Sequence, residues 1–289
     1  MQAALGERQS FEDARIYQEE LTRLGFGRAL WRSDTSIEIG DVALLDHSGD
    51  LVRLFNIFRA GDKETVPSGF KPFGELDEDL RVSFADYLTP GAFYGAGVRF
   101  SPTTDSMLGD TRLLRYEIHP GLSRCGALLL LSRPACFESL RDNARLKEYT
   151  KDNFQSWVDF ANSKGYDLNG LDGLAGPILV TGHTKTSKCT KIVWNLSGAI
   201  SVNGDNGVQP AISGEGESRA LRIQVRDESN TPVEQPHNQC IFINYYTVRR
   251  RRFLPPLVKA AAGPSSPGDI DRGPPPCSVF LRSRVKTTT

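Results

Sequence analysis

Two stretches of strict alternation constrain this chain more than anything else in it. From Lys191 to Val202 (KIVWNLSGAISV), Ile192, Trp194, Leu196, Ile200 and Val202 fall on one side of an extended backbone, and Lys191, Asn195, Ser197 and Ser201 on the other. A second run, Ala211 to Arg226, ends with Leu221, Ile223 and Val225 against Arg222, Gln224 and Arg226. A period of two belongs to a half-buried strand. Gly204-Asp205-Asn206-Gly207 supplies a turn between the runs, so the expectation is an amphipathic antiparallel hairpin over 191–226.

Other segments follow a helical period. Ser10, with Asp13 three residues on, opens a short N-terminal helix in which Ala14, Tyr17, Leu21 and Leu24 recur at three- and four-residue steps before Gly25 and Gly27. A long helix is expected from Pro134, with Phe137, Leu140, Ala144, Tyr149, Trp157, Phe160 and Ala161 near one stripe and Gly165 at its end. At about 1.5 Å per residue it is long enough to cross a sheet. Three or four strands are expected within 28–58, the last two joined across 46–50. More are expected near 97–101, 112–118 and 126–132, from Pro177, and over 239–252. The run 60–86, rich in Pro, Gly and acid, reads as a surface loop, and Lys259 to Ala262 as a last helical turn. The fold class is therefore α+β, a mainly antiparallel β-sheet with one long covering helix and a short N-terminal helix. Its expected organisation is a helical segment 1–27, a single α+β domain 28–262 and a disordered basic tail 263–289 rich in Pro, Gly and Ser.

A chain of 289 residues, 39% hydrophobic, can bury a substantial core. Its formal charge of zero hides an asymmetry: residues 249–289 hold nine Lys/Arg and two Asp, +7, which leaves −7 for the first 248. Such a tail can meet an acidic partner or an anionic membrane surface, or fold back on its own acidic body. Cys125, Cys136, Cys189, Cys240 and Cys277 show no CxxC spacing and suggest reduced thiols. With no charged-then-apolar leader at the start and no apolar run beyond Ala127–Leu131, the expected compartment is the cytoplasm.

No stretch carries the chemistry of a catalytic, cofactor or metal site. Val180-Thr181-Gly182-His183-Thr184 follows a buried-looking strand but lacks the further glycines, or the Gly-Lys-Ser/Thr, that a nucleotide site needs, so Gly182 reads as a strand bend. His183 and Cys189, six residues apart, would lie roughly 20 Å apart if extended, too far to share a metal or a proton. Glu75, Asp77, Glu78 and Asp79 fail the spacing of a calcium loop and read as solvated. His47, His119 and His237 each stand alone beside turn residues. Arg249, Arg250, Arg251 and Arg252 could contact an anionic partner or lipid; without a broader basic face, nucleic acid is disfavoured.

Four stretches taken together, Gly40 to Asn56 (GDVALLDHSGDLVRLFN), Gly126 to Asn162, Gly176 to Thr186 (GPILVTGHTKT) and Asn238 to Arg251 (NQCIFINYYTVRRR), resemble a large group of uncharacterised proteins from mushroom-forming fungi. The likeness covers most of residues 20–262 and implies intracellular residence and a shared architecture with variable ends. It implies no activity, cofactor or catalytic residue. Those relatives usually carry an acidic residue where His183 stands, so the resemblance assigns His183 no role.

Two functions of different kinds remain, with an enzyme of unrecognised type as a third. One is a non-enzymatic intracellular interaction or recognition protein with a protein partner. The other is a membrane-perforating protein that unrolls hairpin 191–226 into a β-barrel; its arms of about 11 to 13 residues exceed the roughly 9 to 11 a tilted strand needs. In outline, a globular body, a hairpin and a late strand resemble the layout of gasdermin-type pore formers. Glu215 and Glu217, on the side of Leu221, Ile223 and Val225, count against a clean lipid face in the second arm.

Overall fold

A computed structural model describes residues 2–32, 37–45, 51–59, 61, 65–76, 78–94, 99–108, 111–119, 125–166, 168, 176–194, 200–204, 208–213, 220–227, 237–249 and 257–261. Helix α1 (Gln2–Thr22) begins eight residues before Ser10. Ala3, Ala4 and Leu5 are strong helix formers, so the chain is already helical when it reaches Ser10. The expected stripe is the one that packs: Ala14, Tyr17 and Leu21 are all fully buried.

Three strands follow, β1 (Arg28–Ala29), β2 (Asp41–Leu45) and β3 (Leu51–Asn56), the last two paired as a hairpin. The expected loop 60–86 ends early. After a 3-10 turn at Glu78–Leu80 comes β4 (Arg81–Leu88), whose pairing with a later strand overrides a composition that looks like loop. Strand β5 (Gly91–Tyr94) is not among the expected strands; β6 (Arg99–Leu108) extends the strand expected near 97–101, and β7 (Thr111–His119) and β8 (Gly126–Leu131) match those expected at 112–118 and 126–132.

The helix expected from Pro134 starts later. Ala135–Leu140 is strand β9, in which Ala135 and Phe137 are buried with intermediate residues between, and α2 (Ala144–Ser163) begins at Asn143. Asn143 Oδ1 accepts from the Arg145 and Leu146 amides at 2.8 and 3.3 Å, a cap that a continuous helix through this point would have forgone. Strand β10 (Ile178–Thr186) leads within two residues into β11 (Cys189–Trp194). Then come β12 (Ile200–Gly204), β13 (Val208–Ser213), β14 (Ala220–Asp227), β15 (Gln239–Arg249) and β16 (Leu257–Ala261). Strand β16 replaces the expected final helical turn because it pairs with the edge of β15. The tail 263–289 lies outside the described residues.

The result is α+β and mainly antiparallel, with three sheets among the described residues. The largest runs β1-β15-β10-β2-β3, with β16 beside β15 and β9 and β4 beyond the other half of β10. Along β15, Phe242 packs with α1, and Tyr246 and Val248 pack with Leu146, Phe154 and Trp157 of α2. Ile243 and Tyr245 join a third cluster with Leu30, Leu45 and Val180. Since neighbours along a strand alternate faces, both helices cover one face of this sheet and the third cluster lies on the other.

A bent two-strand ribbon joins the large sheet to the second one, β12-β11-β8-β5. Strands β9 and β10 pair up to Ala135↔Thr186, and β8 and β11 resume at Leu131↔Cys189, so the register slips at the corner. Thr186, fully buried there, donates its hydroxyl to the Pro134 carbonyl at 3.1 Å and accepts from the Lys188 amide at 3.4 Å. Gly182 is the strand bend read from the sequence: the β10–β15 register shifts between Val180 and Gly182, and a Cβ at Gly182 would come within 2.9 Å of the Glu138 carbonyl oxygen. Thr186→Val, which keeps the shape and removes the hydroxyl, is expected to lower unfolding stability by about 1–3 kcal/mol in denaturant titration. Gly182→Ala should cost about 1–3 kcal/mol by overpacking, read the same way.

Candidate functional site

The hairpin expected over 191–226 is not one hairpin. Strand β11 pairs with β12, Trp194 opposite Ile200 and Ile192 opposite Val202, so the chain reverses within Asn195–Ala199. The alternation hid this for a simple reason. Every pair in that hairpin joins two even or two odd positions, so a reversal leaves the period of two intact. Asn195, Ser197 and Gly198 are the turn formers in the segment, which lies outside the described residues.

Nor is Lys191, on the polar side of this run, solvated. Lys191 is 1% exposed. Phe93, Leu129, Leu131, Cys189 and Val193 share its face of the second sheet and pack against Ala14, Tyr17 and Leu21 of α1. Lys191 Nζ donates to the Leu30 carbonyl at 2.6 Å and sits 5.9 Å from the centre of the Tyr17 ring, and burial lowers its pKa. On the same face, Ser201 donates to the carboxylate of buried Asp13 at 2.5 Å; burial raises the pKa of Asp13, and the Ser201 hydroxyl opposes that rise. The other face carries Trp194, which lies over Gly126 so closely that a Cβ there would meet its ring at under 3 Å. The sequence offered no sign that Lys191, Asp13 and Ser201 would meet, because α1 and β11 are more than 160 residues apart.

The amphipathic surface lies elsewhere, in the third sheet, β13-β14-β7-β6. Strand β14 pairs with β7 through Leu221↔Ile118, Ile223↔Tyr116 and Val225↔Leu114, alternating with Arg222↔Glu117, Gln224↔Arg115 and Arg226↔Leu113. Outside β14, β13 adds Val208, Pro210 and Ile212 to the first face and Gln209, Ala211 and Ser213 to the second. Beyond β7, β6 adds Phe100 and Pro102 to the first and Arg99, Ser101 and Thr103 to the second. Past the register shift, β6 adds Met107 to the first face and Ser106 and Leu108 to the second. One face is thus mainly apolar across all four strands, and the other mainly polar, with Leu108 and Leu113 as its large apolar residues. The apolar face ends in Arg112 and Asp227, which stand opposite each other. Both prolines sit on the two outer strands, where a missing amide is tolerated. Glu215 and Glu217, counted against the second arm, fall between β13 and β14, outside the described residues. The signal for this sheet was present: the alternation of 221–226 has a counterpart at 113–118, a match visible only once the two segments are set side by side.

The other candidates stay dispersed. Arg249 closes β15 opposite Leu257, and Arg250, Arg251 and Arg252 lie outside the described residues. His183 is buried on β10 between Glu138 and Ile243. Cys189 begins β11, its thiol donating to Gln239 Oε1 at 3.1 Å. Glu78 and Asp79 form the 3-10 turn, His237 is exposed, and Asp77 and His47 lie outside the described residues. Among the described residues no group of His, Cys, Asp and Glu is placed to hold a metal. A groove of about 840 Å³ at the end of α2 is lined by Val66, Phe70 and Phe160 with Ser163 and Lys164, and no acid, histidine or cysteine stands among its described lining residues. No described helix is long and apolar enough to cross a membrane.

No family model matches the chain, and no curated protein matches it. Among solved structures, a bacterial gasdermin from Bradyrhizobium tropiciagri is 11% identical over 83% of this chain and 88% of that one, with a TM-score of 0.24. At that level of superposition the likeness assigns nothing to this chain.

His183 provides a pH signature of the fold. Burial, with Lys185 and Arg81 adding to it, brings its pKa down from 6.5 to about 4, and Nδ1 has no hydrogen-bond partner among the described residues. The folded form therefore holds a neutral imidazole, while the unfolded chain takes up a proton as pH falls through about 6.5. Stability from this residue is complete above pH 6.5 and is lost progressively down to about pH 4. Between pH 7.5 and 4 the native protein should lose about 3 kcal/mol more than His183→Gln in parallel urea titrations.

Proposed function

We propose that this protein perforates membranes, and that the β13-β14-β7-β6 sheet is the part that enters the bilayer. One observation carries the reading: the four-strand register gathers Phe100, Leu114, Tyr116, Ile118, Leu221, Ile223 and Val225 on one face and leaves the other mainly polar, with Leu108 and Leu113 as its large apolar residues. A bilayer core leaves no water for backbone amides, so strands cross it only when paired, apolar toward lipid and polar toward the lumen. Strands β6 and β7, at 10 and 9 residues, match the roughly 9–11 that a tilted crossing needs. Strand β14, at 8 residues, is nearly as long, and β13, at 6, is shorter. Arg112 opposite Asp227 at one end suits the headgroup boundary, where a charged pair costs little. The inserting elements on this reading are 99–119 and 208–227, not hairpin 191–226. Arg249 to Arg252 and the basic residues after them, +7 over 249–289, would draw the protein to anionic lipid. The alternative reading, a protein-recognition module, rests on this same face and has no separate observation in its favour.

The test is dye release from phosphatidylserine/phosphatidylcholine vesicles by the full chain. Leakage is expected, and Ile223→Arg, which places a charge at the middle of the apolar face at a cost of about 2–4 kcal/mol in lipid, should lower it at least about tenfold with an unchanged circular dichroism spectrum. Full-length protein that leaves such vesicles intact at every concentration would refute the reading.

A further inference from the structure

The polar face of the third sheet is not merely hydrophilic; it has a sign. By pairing it holds Arg99 on β6, Arg115 and Glu117 on β7, and Arg222 and Arg226 on β14. Four arginines against one glutamate leave +3 per copy. Asp105, inside the register shift between Thr103 and Ser106, is assigned to neither face, and counting it here still leaves +2. The apolar face holds one arginine and one aspartate, opposite each other, and is neutral. The excess positive charge is therefore confined to the face that would meet water.

We infer that the channel is anion-selective: it passes small anions and acidic solutes in preference to cations. The inference rests on the membrane-perforating reading and adds to it the class of solute that crosses. In any ring of copies the same face recurs, so positive charge lines the whole circumference, and rings of fixed arginine charge favour anions. Their reach is the Debye length, about 10 Å at 0.1 M salt, 30 Å at 0.01 M and 3 Å at 1 M. Selectivity is thus strongest in dilute salt, fades in concentrated salt, and weakens as added copies widen the lumen beyond that reach.

The experiment is conductance of the full chain in a planar phosphatidylserine/phosphatidylcholine bilayer under a tenfold KCl gradient, chosen because the two ions have similar mobility. The expected reversal potential lies toward the chloride equilibrium potential in dilute salt, moving toward zero as both sides are raised toward 1 M. Arg115→Glu with Arg222→Glu takes the face from +3 to −1 and should reverse the sign; Arg115→Gln alone, a milder change, should reduce the potential without reversing it. Conductance with a zero or potassium-directed reversal potential in dilute salt would overturn the inference and leave the perforating function standing. A bilayer that stays silent would overturn both.

Discussion

The corner at Thr186 is the constraint on which the layout depends. Two strands, β8–β9 and β10–β11, travel together from the large sheet into the second, and both turn at the point where the Thr186 hydroxyl holds the Pro134 carbonyl. Pro134 has no amide to donate to the ladder and the register slips there, which lets the ribbon bend. On one side of the corner, β10 has β15 along one edge and is shared between β2 and β9 along the other, which makes it the centre of the large sheet. On the other side, β11 becomes the platform for α1. Moving the corner by one residue would reverse the facing of β11 and bring Ile192 rather than Lys191 under the helix.

That platform is unusual in what it buries. Lys191 and Ser201 lie under α1, which itself contributes the buried Asp13, and the Tyr17 hydroxyl finds no partner among the described residues. Lys191 is satisfied by a backbone carbonyl and an aromatic ring, Asp13 by Ser201. Groups of this kind give less net stabilisation than apolar contacts of the same area, but a misplaced helix would strand them, so they fix the seat of α1. The contact at α2 is made differently, with Phe154 and Trp157 of the helix against Phe55 and Tyr246 of the sheet, and Asp142 accepting from the Tyr246 hydroxyl at 2.8 Å. The two helices are therefore held by different physics: α2 by aromatic burial, α1 by apolar contacts threaded with charge.

The third sheet stands apart because its two faces differ in character. The other two sheets bury apolar residues on both sides of their central strands, β10 and β11. In β13-β14-β7-β6 register gathers most apolar residues on one face and most polar residues on the other, and Pro102 and Pro210 blunt its two outer edges against stray pairing. An amphipathic sheet with guarded edges is a structure suited to changing its surroundings, and the proposed function follows from that.

Local pattern was enough to read the fold class, the stripe Ala14, Tyr17 and Leu21, the bend at Gly182, and strands at β2, β3, β7, β8, β10 and β15, because each depends on neighbours within a few residues. The split of 191–202 into two strands was invisible, since a reversal between residues of equal parity preserves alternation. So was the strand at Ala135–Leu140, where Phe137 and Leu140 suit a helical stripe as well as a sheet until β4 and β10 claim the segment from either side. The lysine at 191 looked solvated because the helix that covers it lies more than 160 residues away in sequence. The candidate site has the same origin: the alternations at 113–118 and 221–226 could be read one at a time, but which faces coincide is decided by the register between strands about a hundred residues apart. Register is a property of pairing in three dimensions, and nothing short of the assembled sheet specifies it.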